Sequence, residues 1–142
     1  MATEKQKQEI NAMVEKWRAA TSAIDVRTLK GLWDQKDPSL VYIAEENDKA
    51  LMGWPAISNY YDSFSSMANA DWKYSDLVVD VAGDVAYAFC YSLGRADIKP
   101  EKRRFEYDMR ITFVFRKAAG QWKIIHFHES PNPRVGPGGR AI

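Results

Sequence analysis

From Arg103 to Arg116 the sequence reads RRFEYDMRITFVFR, in which large apolar residues alternate with polar and charged ones. Successive side chains of a β-strand point to opposite faces, so this pattern predicts a strand with one buried face. The stretch is longer than most strands of globular proteins, and we therefore expect it to belong to a strongly curved sheet. The predicted buried set is Phe105, Tyr107, Met109, Ile111, Phe113 and Phe115.

Short turns separate this strand from similar segments, which predicts an antiparallel meander. Gly83-Asp84, the residues 96–102 and the residues 117–120 are the predicted turns. A short hairpin around the polar residues 46–49 is predicted upstream. The further predicted strands span residues 40–45, 50–52, 72–81, 85–95 and 122–129.

The first third of the chain has helical periodicity instead. Apolar residues recur every three or four positions from Thr3 to Ile24, Asp25 is a natural N-cap for a second helix, and Pro55 suits the first turn of a third. Helices and an antiparallel sheet together predict an α+β domain over residues 1–130, a cone-shaped curved sheet wrapped around N-terminal helices with an internal apolar pocket. The Pro/Gly-rich residues 131–142 are predicted to be an extended or mobile tail.

Composition narrows the functional classes. The 142 residues carry 20 Lys plus Arg against 19 Asp plus Glu, so no strong field would gather nucleic acid or an anionic membrane. No apolar run is long enough to span a membrane. The single Cys90 and the polar residues 1–9 favour a cytoplasmic location.

Several features together resemble the SnoaL-like families of the nuclear transport factor 2-like (NTF2-like) superfamily. They are the order of elements, Trp17 in the first helix, Gly53 before the third, and the ending from Phe113 to Phe127. The most specific stretch is Gly120–His128, which is similar to the last strand of the calcium/calmodulin-dependent kinase association domain. This fold hosts enzymes of several kinds as well as non-catalytic modules.

The resemblance extends to the ketosteroid isomerases. It places Trp17 and Tyr61 where that family keeps an oxyanion-binding Tyr and a supporting Tyr. The position of the isomerase base falls close to Ile43, with Glu45 the nearest carboxylate, and that of the oxyanion Asp close to Ile111. The resemblance therefore implies a more apolar pocket than that of the isomerases.

His126 and His128, the two histidines of the chain, lie two positions apart on one predicted strand and so share a face. With a four-residue turn at 117–120 they would lie opposite Ile111 and Met109 and face the pocket, whereas a one-residue slip would turn them outward. They are candidates for acid/base catalysis, for interface contacts or for a structural role. A metal site with Glu129 would lack an evident further ligand, and we expect no metal and no cofactor.

Glu45 ends the first predicted strand near the pocket mouth. Burial there would raise its pKa toward that of a useful base, although a solvated turn carboxylate is the alternative. Tyr61 and Tyr107 are candidate donors to a substrate oxygen, or tyrosines whose hydroxyls are satisfied within the core. The candidate substrate-binding walls are Trp17, Trp54, Phe64, Phe89, Tyr91, Met109, Phe113 and Phe127.

The sequence thus favours a cofactor-independent isomerase, dehydratase or lyase that uses acid/base chemistry on a small hydrophobic, aromatic or polycyclic compound. The alternative is a non-catalytic ligand-binding or oligomerisation module like the kinase association domain. Polar residues of the 103–116 strand, Arg104, Asp108 and Arg110, favour a homodimer through the outer face of the sheet.

Overall fold

The helices begin where the sequence places their caps. The computed structural model describes residues 2–142. Its helices are α1 (Glu4–Ser22), α2 (Val26–Gly31) and α3 (Trp54–Asp62), the last followed by a 3₁₀ turn at Ser63–Ser66. Thr3 caps α1 in a capping box with Gln6, and the Asp25 side chain accepts a hydrogen bond from the Thr28 N–H at the start of α2.

Seven strands form one curved sheet that does not close on itself. They are β1 (Val41–Ile43), β2 (Leu51–Met52), β3 (Met67–Ala82), β4 (Val85–Ile98), β5 (Arg103–Ala118), β6 (Gln121–Pro131) and β7 (Arg140–Ala141). The order across the sheet is β2-β1-β6-β5-β4-β3, and β7 pairs with β5 beyond the end of β6. The α+β class and the curved sheet of the prediction are confirmed.

One pair of strands differs from the prediction of an antiparallel sheet, because β1 runs parallel to β6 with Tyr42 opposite Phe127. A parallel pair needs a long connection, and here the chain passes through α3 and the strands β2 to β5 before it returns. This pairing joins the end of β1 to the end of β6. Glu45 and Glu129, which follow these paired segments, are thereby brought to one end of the sheet.

Helix α1 fills the concave side of the sheet. Its Trp17 ring meets the rings of Phe113 and Phe127 at centroid distances of 5.2 and 5.9 Å. Phe113 and Phe127 are themselves 5.0 Å apart and almost fully buried. These edge-to-face and tilted aromatic contacts stabilise the packing of α1 against the centre of β5 and β6 beyond the effect of the buried area.

Along strand β4 the side chains alternate in size and not in polarity. Its inward residues are small, as at Ala88, Cys90 and Gly94, whereas Tyr87, Tyr91 and other large residues point outward. Small inward residues let α1 and the Trp72 ring approach the sheet, and a Cβ on Gly94 would lie 2.4 Å from that ring. No helix among residues 2–142 is long and apolar enough to cross a membrane.

The turn between β5 and β6 is tighter than predicted. Ala118 pairs with Gln121, which leaves a two-residue turn in which Ala119 and Gly120 both have positive φ, 51° and 78°. A bulge at Ile125 adds one more residue to β6. The register therefore places Val114 opposite His126 and Thr112 opposite His128, three positions from the predicted one.

Candidate active site

A cavity of about 390 Å³ lies between α1, α3 and the concave side of the sheet. Its volume is within the usual range for sites that bind small molecules. Aromatic side chains and carboxylates make up most of its wall. The lining residues are Trp17, Thr21, Tyr42, Glu45, Glu46, Tyr60, Tyr61, Ser63, Phe64, Ser66, Met67, Trp72, Ile98, Phe105, Tyr107, Met109, Glu129 and Gly138.

Six of the residues predicted from the sequence line this cavity. They come from α1, the turn after β1, α3, the 3₁₀ turn and β5. They are Trp17, Glu45, Tyr61, Phe64, Tyr107 and Met109.

The two histidines do not line it, so of the two registers considered from the sequence the one that faces them toward the pocket is wrong, and with it their candidate catalytic role there. Beyond the bulge at Ile125 the register differs from the predicted one by three positions, an odd number, so the side chains from His126 onward turn to the other face of the sheet. His128 is exposed and His126 half-buried on the outer face, with Val114 and Thr112 as their neighbours on β5. Burial and the nearby His128 lower the pKa of His126.

Five predicted wall residues lie outside the cavity lining. Phe89 and Tyr91 are on the outer face of β4, because the inward positions there belong to smaller residues, and Tyr91 is 47% exposed. Trp54 begins α3 two helical turns before Tyr61, about 10 Å along the axis at 1.5 Å per residue. Phe113 and Phe127 form the buried layer behind Trp17.

A tight turn after β1 places Glu45 at the cavity. The Asn47 side chain accepts a hydrogen bond from the Ala44 N–H, and the Asn47 N–H donates to the Ala44 carbonyl, each over 2.9 Å. Glu45 is thereby held in the bend, 8% exposed. Its carboxylate accepts the N–H of Gly138 at 2.9 Å from Oε1 and 2.7 Å from Oε2.

Glu129 is the second buried carboxyl group of the cavity. It sits on the inner face of β6, opposite Ile111, and only 9% of it is exposed. Its Oε1 accepts the backbone N–H of Glu45 over 3.4 Å. No ion pair to Glu45 or Glu129 occurs within residues 2–142.

Burial without a positive partner raises the pKa of both carboxyl groups above the ordinary value of 4.5. Loss of hydration raises the pKa of Glu45 to about 7, with a further rise from Glu46 and an opposing effect of the Gly138 N–H. Burial likewise raises the pKa of Glu129 to about 8, helped by the negative charge of Glu46. Near neutral pH this pair can therefore both hold and accept a proton.

Tyrosine hydroxyls lie beside the carboxyl groups. Trp33 Nε1 donates a hydrogen bond to the Tyr61 hydroxyl over 2.9 Å, which occupies one acceptor position of that oxygen. Tyr60 donates to the Glu46 carboxylate. Burial raises the pKa of both tyrosines far above the usual value, so both remain donors throughout the physiological range.

The wall of the cavity has no positive charge among the described residues, since none of the lining side chains is Lys, Arg or His. Within residues 2–142, no group of three or more His, Cys, Asp or Glu is arranged to hold a metal ion. The arrangement thus combines proton donors and acceptors with an otherwise apolar wall. It disfavours an anionic ligand, because a carboxylate or phosphate would enter without a partner.

Sequence reasoning missed several residues of this site. The predicted register turns Glu129 outward because it turns the histidines inward, although Phe127 shares the Glu129 side of β6 and indicates that this side is buried. Tyr42 and Trp72 carry no distinguishing signal. Gly138 lies in the segment predicted to be a tail, and nothing in its local sequence indicates that it reaches Glu45.

Comparisons with known proteins agree with the architecture. Residues 10–133 match the family model described as a SnoaL-like domain. No curated protein matches the chain in sequence.

Solved structures share the fold at low sequence identity. An NTF2-like superfamily protein from Salmonella enterica serovar Typhimurium has 22% identity and a TM-score of 0.82, covering 96% of this chain and 98% of its own. A candidate dehydratase of the NTF2-like family from Streptomyces avermitilis has 19% identity and a TM-score of 0.80, with coverage of 91% and 97%. A candidate scytalone dehydratase from Novosphingobium aromaticivorans has 13% identity, a TM-score of 0.76 and coverage of 88% and 83%.

The family match spans nearly the whole described domain, including the strands and helices that form the cavity. The chain therefore belongs to the SnoaL-like domain family and shares the fold of the NTF2-like proteins.

Proposed function

We propose that this protein is a cofactor-independent acid/base enzyme that moves a proton on a small, uncharged hydrophobic molecule. The reaction is an isomerisation, a dehydration or a related lyase step. One observation carries the proposal: Glu45 and Glu129 face one aromatic cavity, both buried and without a cation among the described residues. Two of the structures with this fold are named as candidate dehydratases, which is consistent with this class.

The paired carboxyl groups suit a reaction that needs both an acid and a base. When one of them is ionised and the other protonated, the carboxylate can take a proton from a carbon next to a carbonyl group of the ligand. In a dehydration, the electrons of that C–H bond first form an enolate. They then form the new carbon–carbon double bond as the C–O bond at the neighbouring carbon breaks, and the second carboxyl group protonates the departing hydroxyl, which leaves as water.

An isomerisation uses the same groups without a leaving group. The carboxylate removes a proton from one carbon, and the proton returns to another carbon of the conjugated enolate. The Tyr61 hydroxyl is the proposed donor to the enolate oxygen, since Tyr61 lines the cavity and its raised pKa keeps it protonated. Tyr107 extends the apolar wall on β5, and burial raises its pKa as well.

The test is proton exchange, which can be followed even when the product is unidentified. Hydroxylated ring ketones would be incubated with the protein in D₂O, and deuterium uptake at carbon measured by mass spectrometry. We expect Glu129→Gln and Glu45→Gln to slow the exchange by about a hundredfold or more. Glu101→Gln, which removes an exposed carboxylate from the β4–β5 turn, is the matched control.

The same experiment distinguishes the proposed enzyme from a non-catalytic binding or assembly module. A module would bind ring compounds without accelerating exchange in the wild-type protein. Equal exchange rates for the wild type and both cavity variants would contradict the proposed role of the carboxyl groups.

A further inference from the structure

The last residues of the chain fold back onto the sheet beside the cavity. Strand β7 pairs with β5, with Glu106 opposite Arg140, and the Ile142 N–H donates to the Arg104 carbonyl over 3.0 Å. Gly138, just before β7, lines the cavity. The tail therefore contributes a backbone group to the site.

We propose that this tail is a positioning element of the site, in which the Gly138 N–H orients and stabilises the Glu45 carboxylate while Arg140 and Gly139 hold Gly138 in place. Its consequence for turnover rests on the proposed function, whereas the contact itself does not.

The contact between Gly138 and Glu45 has the geometry of a carboxylate-binding group. The single N–H lies within hydrogen-bond distance of both carboxyl oxygens, at 2.9 and 2.7 Å. Hydrogen bonds from a neutral donor to a charged acceptor are stronger than neutral ones and favour the ionised form. Gly138 has a φ of +83°, a conformation that other residues rarely adopt, so glycine suits the bend that aims this N–H.

An ion-pair cluster on the outer face holds the tail. Arg140 donates to Glu106 Oε1 over 2.8 Å, and Arg95 donates to Oε2 of the same carboxylate over 3.2 Å. Glu106 is only 9% exposed, and both oxygens are thus occupied by guanidinium groups. This cluster fixes Arg140 two residues from the N–H that contacts Glu45.

Close packing on the inner side fixes the distance between the tail and β5. A Cβ on Gly139 would lie 2.8 Å from both the Glu106 carbonyl oxygen and the Tyr107 ring, and the φ of Gly139 is +73°. An alanine at this position would have to lift the tail away from β5. Gly139 therefore determines how closely Gly138 approaches Glu45.

The surroundings of Glu45 make its ionisation depend on the contact with Gly138. The groups that face it are Glu46 on the same turn, Glu129 on β6, Tyr60 on α3 and Tyr107 on β5. None is a cation, and burial together with the negative charge of Glu46 favours the protonated form. The Gly138 N–H is the opposing contact that favours the carboxylate.

The test follows the Glu45 carboxyl group directly by ¹³C NMR, with its signal assigned by its loss in Glu45→Gln. In Gly139→Ala we expect the titration midpoint of Glu45 to rise by about one pH unit, the equivalent of one lost charge-assisted hydrogen bond. Gly136→Ala is the matched control, because Gly136 also has a positive φ, +77°, but an added Cβ would meet no atom within 4 Å. We expect no shift there.

Arg140 provides a second route that does not strain the backbone. Arg140→Gln should shift the Glu45 midpoint in the same direction, and Arg140→Lys should restore part of it by keeping the positive charge beside Glu106. If Gly139→Ala fails to fold, the two Arg140 variants test whether the tail affects the Glu45 midpoint. An unchanged Glu45 midpoint in a folded Arg140→Gln or Gly139→Ala protein would overturn the proposal.

The pH dependence of proton exchange tests the proposed function separately from the tail contact. If the Glu45 midpoint moves and the pH dependence of proton exchange moves with it, the tail positions a group that acts in the reaction. If the midpoint moves while the pH dependence of exchange stays, the tail contact is supported and the assignment of Glu45 to proton transfer is wrong.

Discussion

The backbone N–H of Glu45 donates to Oε1 of Glu129 over 3.4 Å and joins two residues that lie 84 positions apart in the chain. The contact depends on the parallel pairing of β1 with β6, which brings the ends of these strands together. Both carboxyl groups line one cavity, and burial together with the negative charges of Glu46 and Glu45 disfavours ionisation of Glu129. The raised pKa values of both groups are the basis of the proton-transfer role proposed for them.

Glu129 makes the stability of the fold dependent on pH. Burial raises its pKa from the ordinary 4.5 to about 8, so the folded state keeps a proton that the unfolded chain releases in this range. Its stabilising effect is complete below the unfolded pKa, and is lost as the pH rises through the folded pKa. Relative to the wild type, Glu129→Gln should gain at least about 1.4 kcal/mol more unfolding free energy at high pH than at low pH.

Urea denaturation at about pH 5 and about pH 8.5 measures this difference on either side of the transition. Glu101→Gln provides the control for loss of an exposed carboxylate. The same stability difference between wild type and Glu129→Gln at both pH values would show that Glu129 ionises normally in the fold.

The histidines should be dispensable for chemistry. His128 and His126 lie on the outer face of β6, with the sheet between them and the cavity, so neither imidazole can reach a bound ligand. We expect His128→Gln to exchange ligand protons at the wild-type rate in D₂O. A loss of about a hundredfold, typical for removal of an acid/base group, would return the histidines to the mechanism.

Two phenylalanines on adjacent strands test the assignment of inner and outer faces. Phe113 is fully buried behind Trp17, and Phe89 lies half-buried on the outer face. Phe113→Ala should cost about 3–5 kcal/mol of unfolding free energy, as for other large aromatic residues removed from a core. Phe89→Ala should cost much less in the monomer. Urea denaturation at low protein concentration compares them, and equal losses would contradict the face assignment.

We also predict a homodimer through the outer face of the sheet. The exposed side chains Tyr87, Tyr91, Leu93 and Val78 form an apolar surface on β3 and β4, next to the polar residues that first favoured this interface. Tyr91→Asp should convert the dimer to a monomer in light scattering after size-exclusion chromatography. Met52→Asp, which changes an exposed apolar residue on β2, is the control. A monomeric wild-type protein at working concentration would contradict the prediction.

Much of the fold could be predicted because local chemistry determines it. The Asp25 cap, Gly53 with its φ of +82°, and the alternation along β5 each act within a few residues, and the structure has the elements where these signals lie. Periodicity also indicates which side of a helix or strand is buried, and Trp17, Tyr61 and Met109 lie on the predicted inner side. Which inner residues line the cavity depends on the packing of distant elements, since Phe113 on the same face of β5 lies outside the lining.

The errors arose where register or volume decides the outcome. The bulge at Ile125 determines whether His128 or Glu129 faces inward, because the shorter turn moves the register by two positions and the bulge adds a third. Composition alone does not indicate that bulge. On β4, apolar residues occupy both faces, so polarity could not reveal that Tyr91 is outside. The deciding factor is the space left by α1 and Trp72, which admits only small residues.

The sequence by itself therefore determined the α+β class, the starts of the helices, the order of the strands along the chain and the aromatic character of the interior. These features follow from propensity, capping and hydrophobic periodicity. The tertiary structure alone decided that Glu129 joins Glu45, that both histidines lie outside, and that Gly138 returns to the cavity from the end of the chain. These relationships join residues far apart in sequence. They arise from strand register and from the energetic requirement that buried polar groups find hydrogen-bond partners, which no local pattern encodes.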